Sequence, residues 1–310
     1  MFRAGMTGIR LNLSHVTLAQ AADQVDALHK AAQRCGKQAE LLIDMQGPEL
    51  RVGVLAEPMT LNEGEVLELG GKGIPLPDIA IPALLPGQEV LLDDGKLLLR
   101  RLTEQTESGA VAEVLRGGVL RGRKSLALPG AGLDPPTMTA SDVENIRVAA
   151  SCGVTGVMQP FVRSRRDLET VRRALDENGG ANIRLFAKIE NQMGLERLPE
   201  FLETADEIVI ARGDLGNAMP LWELPAAQKR IEAQCRKAGK PFMVVTQMLA
   251  SMEQNPVPTR AEVSDIFNAV ADGAAAVMVT GETAVGKWPV EVIRYLSNTV
   301  QAAERFLREG

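Results

Sequence analysis

A chain of 310 residues with a net charge of -6 and 45% hydrophobic residues has ample material for a core of one or two domains. Mild acidity without a basic, aromatic-interleaved cluster argues against nucleic-acid binding; no leader-like N-terminus or bilayer-length apolar run is seen, so no membrane partner is expected, and the scattered, odd-numbered cysteines read as reduced thiols of a cytoplasmic protein. With only His15 and His29, and with Cys35, Cys152 and Cys235 far apart, zinc sites, disulfide frameworks and histidine-centred catalysis lack material, so chemistry must come from Lys, Arg, carboxylates, hydroxyls and metal ions.

Residues 8–14 alternate apolar and polar. The period of a strand puts Arg10, Asn12 and Ser14 on one face and Ile9, Leu11 and Leu13 on the other, packed outward against helices. Residues 17–36 read as an amphipathic helix with the stripe Leu18, Ala21, Val25, Leu28 and Ala32, stopped by Gly36. Residues 38–44 form the next strand, ending in the carboxylate of Asp44.

The texture changes over residues 52–123. Short Val/Leu/Ile runs alternate with Gly, Pro and Asp, predicting a small all-β domain of hairpins inserted in the parent fold, with Asp94-Gly95 as a hairpin turn. Strand–helix alternation resumes in 124–310. A helix over 141–151 carries Ser141 as its cap and Glu144 at the capping-box position, and Thr259 with Glu262 forms a second box. Strands are expected at 154–161, 183–189, 207–211, 241–246 and 276–280. The helices between and after them fall at 166–178, 194–202, 225–238, 259–272 and 290–308. Seven such units argue for a parallel β/α barrel or an open sheet, one unit short of a closed eight.

The polar groups collect at strand ends. Lys188 and Glu190 are two apart and leave one face together; Asp214 ends the next strand motif, and Thr246, Thr280 and Glu282 follow. A lone Lys–Glu pair at a strand end is more often structural. With Asp214 added, the set has the chemistry to hold a hard divalent cation and a transferring anion. There is no Walker loop and no dinucleotide glycine fingerprint.

These segments resemble pyruvate kinase. The matches, in family order, are GMTGIRLNLSH at 5–15, IDMQGPELR at 43–51, DDG at 93–95, LPG at 128–130, KIEN at 188–191, ARGDLG at 211–216, TQML at 246–249, PTRAE at 258–262 and GETA at 281–284. The resemblance implies a TIM-type β/α barrel over 1–51 and 124–310 with a lid domain over 52–123. It implies phosphoryl transfer from phosphoenolpyruvate to ADP, yielding pyruvate and ATP in glycolysis. Residue by residue, Lys188 would neutralise the phosphoryl group in flight and Arg10 would grip it. Glu190 and Asp214 would hold Mg²⁺ or Mn²⁺. Thr246 and the amides around Gly213 would hold the substrate carboxylate, and Thr280 would stand in the proton relay. Arg51, His15 and Lys124 would lie on the nucleotide side. K⁺ would sit among Asn12, Ser14, Asp44 and the carbonyl of Met45, and Glu49 matches the acid of potassium-dependent members.

Against the family pattern, the first strand–helix unit and the C-terminal regulatory domain have no counterpart. Either the true start lies upstream or the barrel is incomplete, with an open seam between the strands at 8–13 and 276–280; family analogy favours a dimer over a tetramer. Met45 and Gln46 replace Thr and Lys, Pro160 and Ala127 replace Ser and Asn, and Thr280 replaces Ser. Two other readings stay open: a pyruvate-kinase-like protein that binds without turnover, and another metal-dependent phosphoenolpyruvate or pyruvate enzyme such as an aldolase.

Overall fold

The computed structural model describes residues 1–14, 16–93, 95–105, 109–131 and 133–309. The chain forms two compact units, Met1–Gly47 with Thr137–Gly310, and Pro48–Pro136. The first unit begins with β1 (Gly8–Asn12), α1 (Ala22–Arg34) and β2 (Glu40–Asp44). The second unit holds β3 (Met59–Leu61), β4 (Val66–Gly70), β5 (Glu89–Leu92), β6 (Leu97–Gln105), β7 (Gly109–Arg116), β8 (Gly118–Leu120) and β9 (Leu126–Ala127). The chain then returns to the first unit with α2 (Ala140–Ala149), β10 (Gly156–Gln159), α3 (Arg165–Glu177), β11 (Arg184–Ile189), α4 (Gln192–Phe201) and β12 (Glu207–Ala211). It continues through α5 (Arg212–Asn217), α6 (Leu224–Ala238), β13 (Phe242–Val245), α7 (Arg260–Ala271), β14 (Ala276–Met278), α8 (Gly281–Ala284) and α9 (Pro289–Glu309).

In the first unit, seven strands make one curled parallel sheet in the order β1-β2-β10-β11-β12-β13-β14. Among the described residues β1 and β14 do not pair with each other, as the seven-unit count anticipates. Strand alternation sorts the core into two layers. Leu41 and Ile43 of β2 pack outward with the helices, together with Leu18, Val25, Leu28 and Ala32. Leu42 packs inward with Met158, Phe186, Val209 and Met243. Leu28→Ala would remove a buried side chain from the outer layer and cost about 2–5 kcal/mol. The inward period of β2, β11 and β12 also places ionic groups at the strand starts. There, Arg184 lies 2.6 Å from Glu40 and 3.7 Å from Glu207, with its guanidinium 5.0 Å from the Phe186 ring centre.

The local readings differ from the structure at element ends. The first strand stops at Asn12, leaving Ser14 in a turn whose amide donates to Asn12 Oδ1 at 3.0 Å. The helix expected over 17–36 spans Ala22–Arg34; residues 17–21 turn instead, with the Leu18 amide held by buried Asn145 Oδ1 at 2.8 Å. The capping box of α2 is not Ser141 with Glu144. Thr139 accepts from the Asp142 amide and Asp142 accepts from the Thr139 amide, because the helix starts two residues earlier. The box of Thr259 with Glu262 is present as read.

The second unit has a five-stranded antiparallel sheet, β4-β7-β6-β5-β9, and a separate β3–β8 pair. Its unit boundaries lie outside the change of texture at 52 and 123. The Leu126 amide donates to the Leu50 carbonyl at 2.8 Å, β9 pairs with β5, and Leu126 and Leu128 join its core. β5 and β6 form a hairpin pairing Leu92 with Leu97. Asp94, read as its turn residue, lies outside the described residues, as does His15. Among the described residues no helix is long and apolar enough to cross a membrane.

Candidate active site

Register brings the first charges together. β1 runs parallel to β2 with Arg10 opposite Leu42 and Asn12 opposite Asp44, so the end of β2 sits beside the polar face of β1. Arg10 reaches Asp44 Oδ2 through Nη2 at 2.7 Å and Nε at 2.9 Å. From β11, Lys188 Nζ donates to Asp44 Oδ2 at 2.9 Å and Oδ1 at 3.1 Å, and lies 2.9 Å from Glu190 Oε1. Two cations and two carboxylates thus form one charge-balanced chain. The side chains of Asp44, Glu190 and Lys188 are only 4%, 2% and 12% exposed.

Burial by itself opposes the charged ammonium of Lys188. The carboxylates of Asp44 and Glu190 outweigh that penalty and the repulsion of Arg10, holding its pKa above the ordinary lysine range. Desolvated charges in a balanced set are costly to assemble and are weak contributors to stability. Both structural ion-pair networks and sites built for chemistry contain such sets, which makes this one a candidate site.

The surroundings hold this chain in place. The Phe161 amide donates to Glu190 Oε2 at 2.9 Å, and Asn191 caps α4 through the Gly194 amide at 2.7 Å. The turn after Asp44 is pinned by buried Asp142, which accepts from the amides of Gln46 at 2.7 Å and Gly47 at 3.0 Å. Gly47 has φ +62°, and a Cβ there would fall 2.3 Å from Pro160 Cγ, so neither conformation nor space suits a side chain. Two of the unusual residues are thereby absorbed into the scaffold. Pro160 packs on Gly47, and Gln46 Oε1 accepts from the Thr139 hydroxyl at 3.2 Å.

The neighbouring strand ends carry the second group. Ile189 pairs with Ile210, so Glu190 and the turn into α5 are adjacent, with Asp214 in that helix's first turn. Thr246, just past β13, has φ +79°, a strained value for a β-branched residue, and Gln247 follows at +54°. Thr246 lies against the turn of α5: a Cβ at Gly213 would sit 3.2 Å from its Cγ2 and 3.7 Å from its Oγ1. Thr280 donates through its amide to buried Glu282 Oε2 at 2.6 Å, and Glu282 Oε1 accepts from the Leu249 amide at 3.1 Å. That carboxylate therefore ties the loop after β13 to the loop after β14.

Arg10, Asp44, Lys188 and Glu190 are joined directly; Gly213 and Thr246 are close enough that a side chain at Gly213 would meet Thr246; Asn12 stands beside Asp44 in register. Asp44 was read from the sequence as a strand-end carboxylate and, by the resemblance, as a K⁺ ligand; its direct pairing with Arg10 and Lys188 is an addition. Met45 is buried, with its amide bonded to the Met158 carbonyl at 3.1 Å. On the second unit, Arg51 pairs with Glu49 at 2.6 Å and donates to the Arg123 carbonyl at 3.0 Å, and Lys124 pairs with Asp93 at 2.8 Å. Asp142 and Arg212 were not singled out from the sequence as site residues, and Glu282 was noted there only as a polar group at a strand end. A capping signal at Thr139 was the available clue to the first.

The ligands expected from the sequence, Glu190 and Asp214 for Mg²⁺ or Mn²⁺ and Asn12, Ser14, Asp44 and the Met45 carbonyl for K⁺, would all offer hard oxygens, the donor type these ions take. Among the described residues no three His, Cys, Asp or Glu side chains gather closely enough to hold a metal by themselves. A divalent ion here fits as one that takes its remaining ligands from substrate and water.

The family profile described as "Pyruvate kinase, barrel domain" matches residues 1–293. The chain is 38% identical to a pyruvate kinase of Agrobacterium vitis, over 98% of this chain and 64% of the relative. It is 36% identical to the pyruvate kinase of Geobacillus stearothermophilus, over 99% of this chain and 54% of the relative. A Staphylococcus saprophyticus pyruvate kinase is likewise 36% identical, over 98% and 54% respectively. The chain thus spans between half and two thirds of the length of these curated relatives.

Proposed function

The chain belongs to the pyruvate kinase family, and from that premise we propose that it transfers the phosphoryl group of phosphoenolpyruvate to ADP, giving pyruvate and ATP. The observation that carries this reading is the buried, charge-balanced chain Arg10–Asp44–Lys188–Glu190 at the strand ends. A loose phosphoryl-transfer transition state asks the protein for positioning and positive charge rather than covalent help. Lys188 supplies that charge: its ammonium stays protonated, and three N–H donors can turn from Asp44 and Glu190 to the phosphoryl oxygens. Arg10 grips the same group, held in orientation by Asp44.

The bond from phosphorus to the enol oxygen breaks as the bond to the terminal phosphate oxygen of ADP forms. The enolate left behind takes a proton on its methylene carbon. Thr246 and the amides around Gly213 hold the substrate carboxylate, and the Thr280 hydroxyl stands in the relay that delivers the proton. Arg51 and Lys124, with His15, serve the nucleotide. Mg²⁺ or Mn²⁺ at Glu190 and Asp214, and K⁺ at Asn12, Ser14, Asp44 and the Met45 carbonyl, would add fixed positive charge against the phosphoryl and enolate oxygens. The second unit as a nucleotide lid, a cytoplasmic setting and a homodimer belong to the same proposal.

The test is pyruvate formation from phosphoenolpyruvate with ADP, Mg²⁺ and K⁺, run beside Lys188→Met. The expected loss in the variant is at least about 10³-fold in kcat. An inactive parent protein, or equal rates for both, would overturn the proposal. Pyruvate release that needs metal but not ADP would move the chain to a different reaction class.

A further inference from the structure

We propose that Arg212 is a positioning residue for this reaction, acting through the backbone of Thr246. Its guanidinium donates to the Thr246 carbonyl through Nη2 at 2.7 Å and Nε at 3.2 Å. The remaining edge, Nη1, donates to Asp265 Oδ2 of α7 at 2.7 Å, and Nη2 lies 2.9 Å from Met248 Sδ. Arg212 is largely buried, with its side chain 13% exposed. A planar fork with one edge on a carbonyl and the other on a carboxylate has its orientation fixed at both sides, which a lysine cannot reproduce.

The carbonyl it grips belongs to a residue that would not choose its own conformation. Thr246 is β-branched and sits at φ +79°, followed by Gln247 at +54°. Such backbone persists only where surrounding contacts over-determine it. Here the contact comes from the first residue of α5, adjacent to Gly213 and two before Asp214. One guanidinium therefore sets where the Thr246 side chain stands relative to the turn of α5, against which Thr246 Cγ2 and Oγ1 already lie. Without the fork, Thr246 relaxes toward negative φ and its hydroxyl leaves Gly213. Asp265 orients the guanidinium and acts one step further out.

The kinetic part rests on the phosphotransferase reading above. Arg212→Lys and Asp265→Asn are measured in the full chain for kcat and for KM toward phosphoenolpyruvate and ADP separately, and a crystal structure of Arg212→Lys gives the Thr246 backbone angles. The expected result is a rise of about tenfold or more in KM for phosphoenolpyruvate in Arg212→Lys, with a smaller rise in Asp265→Asn and KM for ADP within about twofold. Thr246 should leave the left-handed region in the Arg212→Lys crystal.

If both KM values stay within about twofold of the parent, or both rise together, the positioning role is wrong. If Arg212→Lys does not fold, Asp265→Asn decides by the same split. If the parent protein neither binds phosphoenolpyruvate nor turns it over, the phosphotransferase reading falls, and the crystal structure alone judges Arg212. Thr246 still at positive φ in Arg212→Lys would then refute the clamp, and a relaxed Thr246 would uphold it.

Discussion

Asp44→Asn is the perturbation that probes the site most directly without needing turnover. It removes one negative charge and changes almost no volume. Asp44 lies 2.7 Å from Arg10 and 2.9 Å from Lys188, so it is the acid shared by both cations. At an effective dielectric of about 20, charges about 3 Å apart attract by about 5.5 kcal/mol, and Asp44 has two such partners. Much of that gross attraction is cancelled because the variant no longer desolvates a carboxylate. The remainder reflects Arg10 deprived of the carboxylate it pairs with and Lys188 left with Glu190, for which breaking a buried pair costs about 3–5 kcal/mol.

For a domain of this size each kcal/mol shifts the midpoint by roughly 2–4 °C, so the melting temperature should fall by about 6–20 °C. Circular dichroism melts of the full chain read this directly. Lys188→Met leaves the opposite imbalance, with Asp44 still paired to Arg10 but buried Glu190 without its lysine. The double variant should therefore lose less than the sum of the singles, by about 1–3 kcal/mol. A fall under about 3 °C for Asp44→Asn, or additivity within about 0.5 kcal/mol, would refute the charge-balance argument.

Asp142→Ala would orphan the amides of Gln46, Gly47 and Thr139. At about 1–3 kcal/mol for each buried donor left unpaired, urea denaturation should show a loss of several kcal/mol, and an unchanged midpoint would mean water replaces the carboxylate. Glu207 is buried with Oε1 unpartnered, and burial and then the nearby Glu40 outweigh Arg184 to raise its pKa above the usual 4.5. A raised folded pKa means stability that is complete below the unfolded value and lost as pH rises through the folded one. Glu207→Gln should therefore match the parent below pH 4.5 and exceed it at neutral pH in denaturation midpoints; a parent advantage that grows with pH would contradict this. The proposed K⁺ site of Asn12, Ser14, Asp44 and the Met45 carbonyl would exclude tetramethylammonium by size, so replacing K⁺ with it should lower turnover on the order of tenfold; an unchanged rate would remove that site from the proposal.

Much of the scaffold was legible because it rests on short-range periodicity. The stripe Leu18, Ala21, Val25, Leu28 and Ala32 is buried throughout, even though its first two residues lie in a turn rather than in α1. The same-face placement of Lys188 and Glu190 followed from a spacing of two and is met by their 2.9 Å contact. Element ends were less legible. Ser141 and Thr139 are both plausible caps, and only the docking of α2 through Asp142 onto the turn after β2 selects Thr139. The inserted unit was visible as a change of texture, but residues from 124 on were read as barrel, and only the packing of Leu126 and Leu128 into the second unit's core moves that boundary.

By itself the amino-acid order determined which faces of strands and helices are apolar, because those periods of two and 3.6 are properties of the local backbone. With two histidines and three scattered cysteines, it also determined that the chemistry must rest mainly on lysine, arginine, carboxylates and hydroxyls. What tertiary structure alone decided was who meets whom. Asp44 reaches Lys188 across 144 positions and Arg212 reaches Thr246 across 34, through the register of parallel strands and the packing of their following turns. No local pattern encodes such a meeting, since it exists only once the sheet has curled and the strand ends stand side by side.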